Sequence, residues 1–241
     1  MNSLAAADWP QLEALRERVG ASSAAANVSV AAQAVCDLFT ESFESIVLAR
    51  LFLVLPFQGL PAREQAFAER LVEKSRLLRD TTPTLCLLGT SGKNAAWRER
   101  ANSVRHLAIP LLGAESVAGA PMIAKLLSDL NIDLKALDDG RPIATRQMLG
   151  GKNGVFYVLD AQQDRDASGR HIVADTAFVR DHRIATVFGM GGAYVDGTLA
   201  VMVVFCDEHL ERNIVDRYAS FIASFKMATT NLLQARRIFT D

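Results

Sequence analysis

The stretch RIATVFGMGGAYVDGTLAVMVVFCDE, residues 183–208, holds two apolar runs, 183–189 and 198–208, around the glycine-rich segment Gly191-Gly192-Ala193-Tyr194-Val195-Asp196-Gly197. Two such runs across a glycine-containing turn read as a β-hairpin. A helical pattern follows without a break. Between 210 and 233, Ile214, Tyr218, Phe221, Phe225, Ala228 and Leu232 alternate spacings of four and three, the seam of a helix that packs along another helix. A hairpin feeding such a helix suits a sensor or interaction domain better than an enzyme, and no motif in the chain specifies a reaction.

Upstream, residues 9–19 form an amphipathic pattern with Leu12, Leu15 and Val19 on one stripe, and Gly20 is placed to end it. Asn27 is a cap for a second helix whose apolar positions run from Val28 to Phe43. These two helices are the expected partners of the C-terminal seam. Residues 46–57 are continuously apolar except for Arg50 and end at Pro56, which reads as a strand buried on both faces. From Pro61 a helix is expected, with Phe67, Leu71 and Leu78 on one face. Short strands are expected at 84–88 and 106–112, with a polar segment carrying Trp97 between them. Pro121 opens a helix to Leu130, and 134–151 is the best candidate for a mobile loop. A strand follows at 153–161, and 164–170 is a polar turn leading into 171–179. The order implies an α+β fold around an antiparallel sheet of about five to six strands, with the N- and C-terminal helices packed together. The expected division is 1–45 for the N-terminal helices, 46–206 for the α+β domain and 207–241 for the C-terminal helix.

Composition narrows the function. The 241 residues are half hydrophobic, enough for a sizeable core, and 26 Lys and Arg against 27 Asp and Glu leave no basic excess to attract nucleic acid. The first ten residues lack the pattern of a secretory signal, and no apolar run approaches the roughly 18 residues of a membrane span. A cytoplasmic protein is expected, without a membrane or nucleic-acid partner. Cys36, Cys86 and Cys206 are far apart and set in apolar segments, as buried hydrophobes rather than a disulfide or zinc framework.

Several stretches imitate catalytic motifs and fail. Gly89-Thr90-Ser91-Gly92-Lys93-Asn94 resembles a phosphate loop, but Leu87 and Asn94 stand where that loop needs a glycine and a Ser or Thr. Gly151-Lys152-Asn153 lacks the same features. Gly189, Gly191 and Gly192 precede a strand instead of a helix, so they are expected to supply positive φ angles to a hairpin, not to bind a dinucleotide. His106, His171, His182 and His209 have no metal-ligand spacing. His171 or His182 as a single axial haem ligand is the one metal reading that survives. Asp207 and Glu208 are placed to complement the positive end of the following helix.

Arg50 is the most informative polar residue. A charge inside an apolar strand must find a partner, reach solvent or face a cavity. Facing a cavity, its guanidinium would meet an anionic group on a ligand, such as a phosphate. Trp97, Phe156 and Tyr157 are core aromatics first and pocket walls second. The candidate ligand-binding set is Arg50, Trp97, Phe156, His171 and Tyr194; no cofactor is specified.

The element order, with Val187-Phe188-Gly189-Met190-Gly191-Gly192-Ala193-Tyr194 and the strand Leu199-Ala200-Val201-Met202-Val203-Val204-Phe205 before a long terminal helix, resembles a GAF-type sensor domain across roughly residues 28–233. The resemblance implies a six-stranded antiparallel sheet, a small-molecule pocket on one face and dimerising helices on the other. Such domains bind cyclic nucleotides, haem, bilins, metabolites or nothing. This chain shows no cyclic-nucleotide signature, no assignable bilin cysteine and no cysteine set like that of the free-methionine sulfoxide reductases. PAS topology is the structural alternative. The expected function is a non-catalytic sensor or signal-transduction domain, a homodimer acting on a protein partner or fused output domain through ligand-dependent helix packing. Two alternatives stand beside it: a ligand-free adaptor, and an enzyme whose pocket unites Arg50, His171 and Tyr194.

Overall fold

The computed structural model describes residues 3–72, 78–133 and 154–239. The loop expected at 134–151 and the Gly151-Lys152-Asn153 stretch lie outside these residues.

Helix α1 spans Trp9–Gly20, its first turn closed by a reciprocal pair in which Asp8 accepts from the Gln11 N–H and Gln11 accepts from the Asp8 N–H. Helix α2, Val28–Ser42, is capped by Asn27, which accepts from the Val30 N–H at 2.9 Å. Strand β1 spans Ile46–Pro56. Helix α3, Ala62–Leu71, begins one residue after Pro61. Strands β2, Pro83–Gly92, and β3, Ala108–Pro110, precede the short helix α4, Ala114–Ala118, and helix α5, Pro121–Asp129. Strand β4, Gly154–Val158, leads through a turn to helix α6, Thr176–Asp181. The hairpin of β5, Thr186–Ala193, and β6, Leu199–Cys206, is followed by helices α7, Arg212–Asp216, and α8, Phe221–Gln234.

The six strands form one antiparallel sheet in the order β3-β2-β1-β6-β5-β4. Strand periodicity sends alternate side chains into two cores. On one face Ala49, Leu51 and Leu53 of β1 join Met202 and Val204 of β6 in a core shared with α1, α2 and α8. On the other, Leu48, Phe52 and Val54 join Val201, Val203 and Phe205 in a core shared with α5 and α6. The terminal helices α1 and α8 pack together, as the periodicity implied.

Four local expectations change. First, β5 runs through Ala193, so Gly189, Gly191 and Gly192 lie within the strand, and among the hairpin glycines only Gly197 has a positive φ, of 89°. Gly191 is there for space: a Cβ on it would lie 2.5 Å from Leu130 Cδ1 at the end of α5. Second, the Gly89-Thr90-Ser91-Gly92 stretch is strand, not loop. A Cβ on Gly89 would lie 2.4 Å from the Ala32 carbonyl carbon, so this glycine lets α2 lie directly on β2.

Third, the C-terminal helix is interrupted at 217–220. Arg217, Tyr218 and Ala219 donate to the carbonyls three residues back, a tighter winding that apolar spacing does not distinguish from α. The break lets the buried Tyr218 donate its hydroxyl to the Leu4 carbonyl at 2.7 Å. The seam itself is consumed inside the protomer: Phe221 and Phe225 are buried, and Phe221 meets Phe39 edge-on at 5.3 Å. Fourth, Asp207 and Glu208 do not serve a helix end, because α7 starts only at Arg212. Asp207 pairs with Lys93 at 2.6 Å, and Glu208 accepts from Ser3 and from the Leu4 N–H at 3.0 Å, tying down the N-terminus.

The Gly89 contact generates a test. Gly89→Ala should destabilise the fold by about 1–3 kcal/mol, read as a lower urea midpoint with unchanged slope.

Candidate functional site

The face of the sheet opposite α1, α2 and α8 borders a cavity of about 790 Å³. Its floor is Leu48, Arg50 and Phe52 of β1, Leu85 and Thr90 of β2, and Val203 and Phe205 of β6. Met122, Ile123 and Leu126 of α5 line it as well, as do residues 172–178 and the connection between β2 and β3, including Trp97 and residues 102–106. The lining is mostly apolar with a few polar groups, the usual character of a small-molecule site.

Arg50 stands opposite Thr90 on β2 and Val203 on β6, and the strand period places it between Leu48 and Phe52 on the cavity side. Its Nη1 lies 3.0 Å from Nδ1 of His106, the one hydrogen bond the Arg50 side chain makes among the described residues. Its Nε is buried and has no acceptor. A buried donor left unpaired costs about 1–3 kcal/mol. Burial lowers the guanidinium to about 10, so it remains cationic at neutral pH.

His106 must accept from Arg50 through Nδ1, which places its own proton on Nε2. Loss of water on the cavity side pushes its pKa down to about 4, and the positive charges of Arg50 and Arg105 add to the fall, while Asp175 opposes it. His106 remains an exposed residue, so it reaches both cavity and solvent. Arg105 pairs with Asp175 at 3.0 Å; both are exposed, and such a pair contributes little stability. Asp175 also accepts from the Phe178 N–H at 3.0 Å at the start of α6. Trp97 packs edge-on against Phe178 and His182, with centroids 5.6 and 4.7 Å away, and Thr90 donates its hydroxyl to the Trp97 carbonyl at 3.0 Å.

The residues singled out in the sequence separate into four places. Arg50 and Trp97 line the cavity. Phe156 is fully buried in the core on the same face without lining the cavity. His171 is half-buried beside the lining residue Ile172, its Nδ1 buried and without a partner among the described residues. Tyr194 is on the opposite side, in the helix-facing core, its hydroxyl 2.7 Å from that of Thr229. The unit Arg50, His171 and Tyr194 expected of an enzyme is thus divided by the sheet, because Tyr194, the residue after β5, packs in the helix-facing core. Neither His171 nor His182 is part of the cavity lining.

Sequence reasoning passed over His106, Arg105 and Asp175. The Arg50–His106 bond spans 56 residues, and only the β1–β2 pairing and the β2–β3 connection bring its ends together. One local signal existed: Asp175 before a short helix has the form of an N-cap.

All three cysteines are buried and unpaired. Burial pushes the Cys36 thiol well up, and Cys86 and Cys206 up to about 12. Among the described residues no group of three His, Cys, Asp or Glu side chains is placed to hold a metal ion, and no helix is long and apolar enough to cross a membrane.

Among solved structures, the phycocyanobilin-bound GAF domain from a cyanobacterial phytochrome superposes with a TM-score of 0.50 at 8% identity, covering 93% of this chain and 96% of that one. The chain has a GAF-type fold. Two further structures align across nearly the same length. A putative GAF sensor protein from Burkholderia vietnamiensis is 14% identical, covering 96% of this chain and 99% of its own, with a TM-score of 0.48. The free methionine-R-sulfoxide reductase of Neisseria meningitidis, in complex with its substrate, is 11% identical over 95% of both chains, with a TM-score of 0.49. At these identities the likeness is one of fold. No family model matches the chain, and no curated protein matches it.

Two outcomes are expected in this GAF-fold domain. The three thiols should resist a disulfide reagent in the native state and react on denaturation, counted by absorbance. His106 should titrate near 4 by NMR, below the unfolded value near 6.5, and move part of the way back up in Arg50→Gln. Because the folded value is depressed, its contribution to stability is complete above about pH 6.5 and is lost as pH falls toward 4.

Proposed function

We propose that this protein is a regulatory GAF domain that binds a small molecule in the cavity beside β1 and passes its occupancy to the helices on the far side of the sheet. The observation that supports this most is the division of labour along β1. Leu48, Arg50 and Phe52 line the cavity, while Ala49, Leu51 and Leu53 pack in the core that holds α1, α2 and α8. A ligand that shifts β1 therefore acts on helix packing through adjacent residues of one strand. Occupancy changes the helix arrangement only if the ligand prefers one of two arrangements. On this reading, 46–206 senses, while 1–45 and 207–241 form the responding layer, in a cytoplasmic protein whose output is a partner or a fused domain.

A homodimer through the terminal helices would use their outer surface, because the inner seam is already buried. Trp9 and Met227 are exposed there, Met227 to 81%. A dimer in sedimentation at micromolar concentration that Met227→Glu dissociates supports this part; a monomer removes it.

Native mass spectrometry of freshly purified protein, beside a denatured sample and with absorption spectra of both, tests for a carried ligand. Hydrogen exchange tests the coupling. Ligand addition should protect both 46–56 and 221–234. Protection confined to the cavity lining, with none in 221–234, would leave a binding protein and remove the signalling role.

A further inference from the structure

We propose that the cavity selects ligands with one anionic group on an apolar body, the anion seated between Arg50 and His106. This deepens the preceding reading and rests on it.

Arg50 brings a full positive charge to the floor of an apolar cavity, and no carboxylate pairs with it among the described residues. Its neighbour there is the neutral acceptor nitrogen of His106, at 3.0 Å, and its Nε has no acceptor at all. Of the two acidic side chains that line the cavity, Asp175 is engaged by Arg105 and by the start of α6, and Glu99 is exposed on the connection between β2 and β3. A carboxylate, sulfonate or phosphate group arriving at Arg50 would supply the missing charge and acceptors, through charge-assisted bonds strengthened by the dry surroundings. The volume of about 790 Å³ is far beyond that of a bare inorganic anion, and the floor around Arg50 is Leu48, Phe52 and Val203. The remainder of the ligand is accordingly apolar.

The same geometry couples binding to a proton. Facing Arg50, His106 is an acceptor, held neutral by loss of water and by the charges of Arg50 and Arg105. The charged groups facing it are Arg50 from β1, Arg105 beside it and Asp175 at the start of α6, and Glu99 lines the same cavity. An anion beside the ring offsets the two guanidinium charges and favours the doubly protonated imidazole, so anion affinity rises as pH falls.

Two fluorescent dyes that share one apolar body and differ in charge provide the test. 8-Anilinonaphthalene-1-sulfonate carries a sulfonate that stays ionised across the range, and N-phenyl-1-naphthylamine is uncharged. The sulfonate should bind with a single site about 10-fold or more tighter than the neutral dye, and Arg50→Gln should bring the ratio close to one while the neutral dye still binds, which also reports that the variant is folded. Between pH 7 and 5 the affinity of the unaltered protein for the sulfonate should rise several-fold, with the neutral dye flat and the rise absent in His106→Gln. Equal affinity for the two dyes, or a preference that survives Arg50→Gln, overturns the proposal while leaving the cavity a binding site. If neither dye binds, this proposal and the ligand-binding reading fall together.

Discussion

Strand β1 is hydrogen-bonded to β2 along one edge and to β6 along the other, and both of its faces are covered. Every other element is placed by that double burial. One face takes the long helices, and the close approach of α2 is possible because Gly89 offers no side chain to the Ala32 backbone. The other face takes shorter pieces, α5, α6 and connecting segments, which leave the cavity between them. Long helices present continuous apolar stripes and fill a sheet face. Short helices separated by polar turns cover it incompletely, and the open space falls at Arg50.

A cation at the centre of this strand would be a severe defect in a closed core. Here the cavity gives it room, and His106 supplies one acceptor. The arrangement leaves Arg50 under-satisfied, with its Nε unpaired, while in the helix-facing core behind it the hydroxyls of Tyr194 and Tyr218 are matched by Thr229 and the Leu4 carbonyl. The cavity and the unpaired Arg50 donor lie on one side of β1, and the long helices α1, α2 and α8 on the other.

Most of the element order was legible in local pattern. Asn27, Pro56 and Pro121 punctuate the chain where the periodicity changes, and the 46–57 run could be placed as a doubly buried strand because only Arg50 interrupts it. The errors arose where one pattern serves two geometries. Apolar spacings of three and four suit both α-helix and the tighter turns at 217–220. Glycines suit both a turn and a close approach; Gly191 lies within β5, where the space a side chain would take is filled by Leu130, far away in sequence. The seam of the last helix was visible, and it packs on the expected partners, α1 and α2, with Phe221 against Phe39, as well as on the sheet.

The candidate site was half legible for the same reason. Arg50 stood out because a charge in an apolar strand must be explained, and Trp97 because it is a large aromatic in a polar segment. His106 and Arg105 had no such local anomaly, and Asp175 had only the form of an N-cap. By itself the sequence determined an α+β chain with a central buried strand carrying one cation, because burial periodicity and capping act between near neighbours. Which face that cation shares, that His106 meets it and that Tyr194 lies across the sheet were decided only in the tertiary structure, because strand register joins residues whose separation along the chain leaves no local trace.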